Sequence, residues 1–152
     1  MSKFIKGTLL LLVLLYATSV TAEAKTIKVA MLNTGSDGAS QMVFEPDFIT
    51  ADVGDTVEFV VTDVLHQPAS IYVPEGGNTW KVEVSQPATV KLNKKGVWVF
   101  KCETHATLGM MGVIQVGGDK SNLDEATEAA EEFLESVAMN QERMTNALAK
   151  VK

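Results

Sequence analysis

One cysteine, one histidine and one methionine fall within nine residues of each other, at Cys102, His105 and Met110, in the segment Phe100-Lys101-Cys102-Glu103-Thr104-His105-Ala106-Thr107-Leu108-Gly109-Met110-Met111-Gly112. The spacing is C-x2-H-x4-M. The chain has one other histidine, His66, just past the end of an expected strand. Thiolate and thioether are soft donors that suit Cu(I), and imidazole also suits Cu(II). Two imidazole nitrogens and one thiolate near a plane, with a long bond to a thioether, satisfy both oxidation states of copper. Little then has to move when an electron arrives or leaves. Each residue alone has a plainer reading: a lone cysteine as a small core residue, a histidine as a surface group, a methionine as core. Together, the only cysteine and both histidines are consumed by one pattern, which points to one copper ion (Cu2+/Cu+) on His66, Cys102, His105 and Met110. Met111 competes with Met110 for the weak fourth place, and strand alternation after the loop turns it the other way.

Positioning four such groups needs a stiff frame, and residues 25 to about 118 read as short strands. Lys25–Asn33 alternates, with Ile27, Val29 and Met31 on one face, and Thr56–Thr62 does the same with Val57, Phe59 and Val61. Phe44–Thr50 is a short extended run whose Pro46 suits an edge or a bend. Ala69–Val73, Trp80–Val84 and Ala88–Leu92 are shorter runs, Asn93–Gly96 reads as a hairpin turn, and Gly96–Cys102 and Met111–Val116 complete the set. Seven or eight strands at turn-spaced intervals indicate an all-β sandwich. Residues 119–152 change character. Ser121 with Asp124 reads as a helix start. Leu123, Ala126, Ala130, Phe133, Leu134 and Val137 form one helical stripe. Asn140 reads as the cap of a second helix with Met144, Ala147, Leu148 and Val151 in register. Both stripes are expected to dock on the sandwich, because their polar faces are acidic and do not suit a membrane surface.

The N-terminus is read separately. Lys3 and Lys6 precede an uncharged apolar run, Gly7–Val20, and small residues offer cleavage after Ala22 or Ala24. This is the layout of a secretory signal peptide, 1–22, and the run falls short of the roughly 20 residues a spanning helix needs. The expected organisation is therefore signal 1–22, copper-binding domain 23–118 and helical extension 119–152. Losing residues 1–22 removes two lysines and no acid, moving the formal charge from −6 to −8. So acidic a chain is a poor binder of nucleic acid or anionic membrane. With a single cysteine, no internal disulfide is available to an exported chain, and a free thiol there needs burial or a metal.

The Cys102–Met110 segment resembles the copper loop of the cupredoxins, the small blue-copper proteins, with the spacing shared by plastocyanins and pseudoazurins. Val29-Ala30-Met31-Leu32-Asn33 followed by Asp37-Gly38, Met42-Val43-Phe44-Glu45-Pro46, Gly54-Asp55-Thr56-Val57, Ile71 with Pro74-Glu75-Gly76, and the Lys101-Cys102 pair are similar to the pseudoazurin pattern. The tail, with Asn122-Leu123-Asp124 and Gln141-Glu142-Arg143, is similar to the two-helix extension plastocyanins lack. The resemblance implies a Greek-key cupredoxin β-sandwich with a C-terminal two-helix extension. It implies a monomeric periplasmic one-electron carrier serving partners such as a copper nitrite reductase or a c-type cytochrome, which dock transiently near His105. Its apolar surround would be Ala106, Leu108, Gly109, Met110 and Met42. Copper storage or delivery without redox turnover is the alternative, and a cysteine hydrolase with Cys102 as nucleophile and His105 as base lacks supporting groups. Three positions depart from the family pattern. Gln67 stands where an Asn usually ties the two ligand loops. Thr104 stands where Pro usually precedes the second ligand histidine, and its backbone N–H is expected to donate towards the Cys102 sulfur. Of the family's lysine ring, Lys101 and Lys81 remain, while Val64 replaces another; this implies weaker docking to an acidic partner or a different partner.

Overall fold

The structure, a computed structural model, describes residues 23–152; the expected signal segment lies outside them. Among the described residues, eight strands form two four-stranded sheets. The first sheet has the order β2 (Gln41–Glu45), β1 (Thr26–Thr34), β4 (Thr56–Val61), β6 (Ala88–Lys91). The second has β3 (Phe48–Ala51), β8 (Met111–Val116), β7 (Gly96–Cys102), β5 (Pro68–Tyr72). The pairs β1–β4 and β3–β8 are parallel and the rest antiparallel. The extended run around Pro46 is in fact two strands in different sheets. The chain bends at Pro46, which has no N–H to give a ladder, and crosses from the first sheet to the second.

The sequences of the strands match where they lie. β1 and β4 alternate because only one face of the first sheet is covered. β7 and β8 are buried nearly throughout, because the second sheet is covered on both faces. Between the sheets lie Val29, Met31, Phe44, Val57, Phe59, Leu92, Trp98, Phe100 and Ile114, together with Cys102 and Met110. Phe100 meets Phe44 and Phe59 at ring-centroid distances of 5.0 and 5.4 Å, two residues from Cys102. Burying that ring completely contributes about 1.5–3 kcal/mol. On the outer face, Val97, Val99, Met111 and Val113 pack against Ala126, Ala130, Val137, Met144 and Ala147 of the extension. Both helical stripes, α1 (Leu123–Leu134) and α2 (Glu142–Leu148), thus dock on the sandwich as their periodicity indicated.

Local expectations differ from the structure in four places. Trp80–Val84 is not a strand: only Lys81 forms an isolated bridge to Ala69, with Ser70 N–H donating to the Trp80 carbonyl and Val82 N–H to that of Pro68. A turn at Val84-Ser85, with Ser85 at φ 59°, ends the pairing. Asn93–Gly96 is a crossing and not a hairpin, since β6 and β7 belong to different sheets. Neither expected cap, Ser121 or Asn140, serves its helix: each lies one residue before the N-cap position, which is Asn122 for α1 and Gln141 for α2. Asn122 precedes α1 without a side-chain cap bond; its amide instead accepts from the Val97 N–H (2.8 Å) and donates to the Val97 carbonyl (3.0 Å), pinning the helix start to β7. The Asn140 amide likewise turns away from α2, and its partner is a carbonyl of the Cys102–Met110 loop.

Candidate metal centre

Register decides what meets at the end of the second sheet. Pro68 on β5 pairs with Cys102 on β7, so the residues just before Pro68 lie beside the thiol. The ladder continues one step, with Glu103 N–H donating to the Gln67 carbonyl at 2.8 Å. Past Cys102 the chain makes successive tight turns. His105 N–H donates to the Cys102 carbonyl (3.3 Å), a 3-10 turn spans Ala106–Leu108, and Gly109 leaves it at φ 76°. Cys102 N–H closes the loop on the Met110 carbonyl at 2.8 Å.

His66, Cys102 and His105 converge. Cys102 Sγ lies 3.9 Å from His66 Nδ1 and 3.6 Å from His105 Nδ1, and the two Nδ1 atoms are 3.2 Å apart. Imidazole and thiolate bonds to a late first-row ion run about 2.0 and 2.3 Å, which for a trigonal plane gives about 3.5 Å between nitrogens and about 3.7 Å from nitrogen to sulfur. The three donors fit one such ion. Burial favours neutral imidazole at both histidines: desolvation holds His66 below the ordinary histidine range, with the neighbouring His105 acting the same way and Asp63 opposing, and desolvation does so for His105. Neutral rings leave a lone pair for a metal. His66 and Cys102 are fully buried, whereas His105 is partly exposed. Met110 is fully buried in the cluster that holds Cys102, while Met111 faces the helices in the other. The thiol is the one free cysteine.

The donor to the sulfur differs from the expected one. Gln67 N–H, not that of Thr104, donates to Cys102 Sγ, at 3.3 Å. The β5–β7 register aims the Gln67 amide at the sulfur, a pairing invisible in local sequence. Thr104 contributes its hydroxyl, which donates to the Leu65 carbonyl at 2.6 Å. With its single proton committed there, the Thr104 oxygen faces Sγ at 3.2 Å through lone pairs. Leu65 sits in left-handed backbone (φ 71°), and its N–H donates to Ser85 Oγ at 2.8 Å. Two hydroxyls therefore hold the residue before His66, and the tie between ligand loops runs from the cysteine side. Sequence reasoning missed Leu65 and Ser85; only the fold shows a left-handed leucine bracketed by them.

The surface around His105 combines apolar and compensated charge. Ala106 and Leu108 are half-buried beside it, and Val64, Leu65 and Met139 are exposed on the His66 loop and the inter-helix linker. Lys101 and Lys81 both pair with Glu103, at 3.1 and 3.5 Å. The hydrogen bond from Lys101 in particular keeps the Glu103 carboxyl below its ordinary range. The two retained lysines thus share one carboxylate.

Comparison with known proteins agrees with this geometry. Residues 29–117 match the family model described as copper binding proteins, plastocyanin/azurin family. The chain is 39% identical over 117 residues to a pseudoazurin from Paracoccus pantotrophus, covering 76% of this chain and 79% of that protein. It is 32% identical over 121 residues to a plastocyanin from Prochlorothrix hollandica, covering 74% and 84%. Among solved structures, native pseudoazurin from Hyphomicrobium denitrificans superposes with a TM-score of 0.72 at 33% identity, over 84% of this chain and 98% of that one.

Proposed function

The chain belongs to the plastocyanin/azurin family of copper-binding proteins, and from that premise we propose that it carries single electrons on one copper ion held by His66, Cys102, His105 and Met110. The observation that carries the reading is the convergence of two histidine nitrogens and the cysteine sulfur within 3.9 Å of one another on a rigid sheet end. When bound, copper supplies a one-electron couple that soft and borderline donors serve in both states. The protein supplies constancy. The β5–β7 register, the Thr104–Leu65 tie and the turns of the Cys102–Met110 loop fix the donors, so little rearranges on electron arrival. Gln67 N–H withdraws electron density from the sulfur and favours the reduced state. Met110 serves as the weak fourth donor.

Electrons pass at the partly exposed edge of His105. Its apolar surround permits a dry, brief contact, and the charge pairing at Glu103 leaves little net positive field to attract an acidic partner. A copper nitrite reductase as acceptor and a c-type cytochrome as donor suit the family resemblance. The protein acts as a carrier and not an enzyme, works as a monomer in the periplasm, and reaches it by cleavage of residues 1–22. No helix among the described residues is long and apolar enough to cross a membrane.

Protein-film voltammetry of the copper-loaded protein tests the reading. A reversible one-electron wave, with copper retained over many cycles, is expected. Loss of the metal on reduction would favour storage or delivery instead.

A further inference from the structure

The arc between His105 and Met110 exposes three consecutive carbonyls, those of Thr107, Leu108 and Gly109, at the end of a 3-10 turn where none has a partner within the turn itself. All three are taken by the extension. The Thr107 carbonyl accepts from Ala138 N–H (2.9 Å) and Met139 N–H (3.2 Å). The Leu108 carbonyl accepts from Asn140 Nδ2 at 2.8 Å, and the Gly109 carbonyl from Arg143 Nη1 at 3.2 Å. Every donor comes from the linker between α1 and α2 or the first turn of α2.

Two backbone features make the approach possible. Gly109, at φ 76°, admits the linker: a Cβ there would fall 2.4 Å from the Met139 carbonyl oxygen and 3.0 Å from Asn140 Cβ. Asn140 itself is left-handed (φ 57°), a conformation asparagine tolerates better than most residues. Arg143 extends the grip to a third segment, since the same Nη1 reaches the carbonyls of Gln41 (3.1 Å) and Met42 (2.9 Å) at the start of β2. One guanidinium therefore joins α2, β2 and the residue before Met110.

We propose that the helical extension is a positioning device for the metal loop, with Asn140 and Arg143 as positioning residues that fix where the Met110 thioether sits. This rests on the copper reading above for its consequence at the metal, though not for the bracing itself. A thioether held loosely sets the balance between the two copper states, so a loop that moves by a fraction of an ångström changes the site's electronic structure without losing the metal. The brace also explains the placement of the extension: its apolar stripes anchor it on β7 and β8, and that anchoring presents the linker to the loop.

The test uses the full mature chain in three variants. Asn140→Gly removes the amide while keeping the left-handed backbone, and Arg143→Lys removes the planar fork while keeping the charge. Gln115→Ala serves as control: it breaks the bonds between Gln115 and Lys152 (2.8 and 3.3 Å), loosening the extension at its far end. In the metal-free protein, the amides of Gly109 and Met110 should exchange with deuterium about fivefold faster in Asn140→Gly, the effect of losing one hydrogen bond. In the copper-loaded protein, the intensity ratio of the two sulfur-to-copper absorption bands should shift in Asn140→Gly and Arg143→Lys. The control should match wild type in both measurements. Wild-type values in the Asn140 and Arg143 variants, or equal changes in Gln115→Ala, would overturn the proposal. If the wild type showed no sulfur-to-copper band, the copper reading would fail while the exchange rates still decided the brace.

Discussion

Replacing Thr104 by alanine isolates the tie between the two loops that carry His66 and Cys102. The bond from the Thr104 hydroxyl to the Leu65 carbonyl is short, 2.6 Å, and spans 39 residues of sequence. A bond of this kind contributes about 0.5–1.5 kcal/mol net. Leu65 is exposed, so water can replace the lost donor, which keeps the expected cost near the middle of that range. Against this, Leu65 holds a left-handed conformation that costs roughly 1–2 kcal/mol for a residue with a Cβ. That strain persists because Ser85 and Thr104 hold it from both sides. Freed on one side, the His66 loop can relax away from Cys102. Thr104→Ala should therefore lower the unfolding free energy of the metal-free protein by about 1 kcal/mol, with an unchanged denaturant slope. Copper loss to an excess of chelator should accelerate by about fivefold, the same free energy expressed as a rate. Thr104→Ser retains the hydroxyl and should restore both. Urea unfolding and stopped-flow chelation read the two quantities. An alanine variant equal to wild type in both, or a serine variant as impaired as alanine, would refute the role of the hydroxyl.

Two further outcomes follow from the same structure. Leu108→Lys, placing a charge in the apolar surround of His105, should slow electron exchange with partner proteins several-fold while leaving the visible spectrum intact; an unchanged rate would argue against His105 as the exit. The buried Asp55 carboxylate accepts from the N–H groups of Lys25 and Asp52, both at 2.9 Å, with Lys25 Nζ at 3.6 Å. Burial pushes this carboxyl up, but those hydrogen bonds and the lysine outweigh it and leave the group below its ordinary value of 3.8. A depressed folded-state pKa contributes stability that is fully present above the unfolded value and disappears as pH falls through the folded one. Asp55→Asn should cost about 1–3 kcal/mol at neutral pH and flatten the loss of stability below pH 3.8. An unfolding curve with the same acid limb in both proteins would contradict this.

The meeting of His66, Cys102 and His105 was legible in sequence because its chemistry is concentrated: two of the three share one short loop, and no other histidine or cysteine competes. The frame was legible where burial imposes a period, as in β1 and β4, or where burial on two faces gives unbroken apolar runs, as in β7 and β8. The docking of the helices followed from their stripes. What could not be read depends on partners distant in sequence. Trp80–Val84 has strand-like composition but finds only two ladder bonds before the turn at Ser85. Asn93–Gly96 resembles a hairpin because local turn chemistry does not say which sheet the next strand joins. Asn122 and Asn140 have cap-forming side chains that are used instead on β7 and on the metal loop. The sulfur's N–H donor came from Gln67 because cross-strand register, and not proximity in sequence, aims that amide.

The most direct measurement is a titration of the metal-free mature protein with Cu(II), followed by visible absorption, in wild type and in Cys102→Ser. A strong red absorption that saturates at one copper per chain in the wild type and is missing from the serine variant is the expected result. A wild type that binds no copper, or that develops the same spectrum without the Cys102 sulfur, would contradict the account.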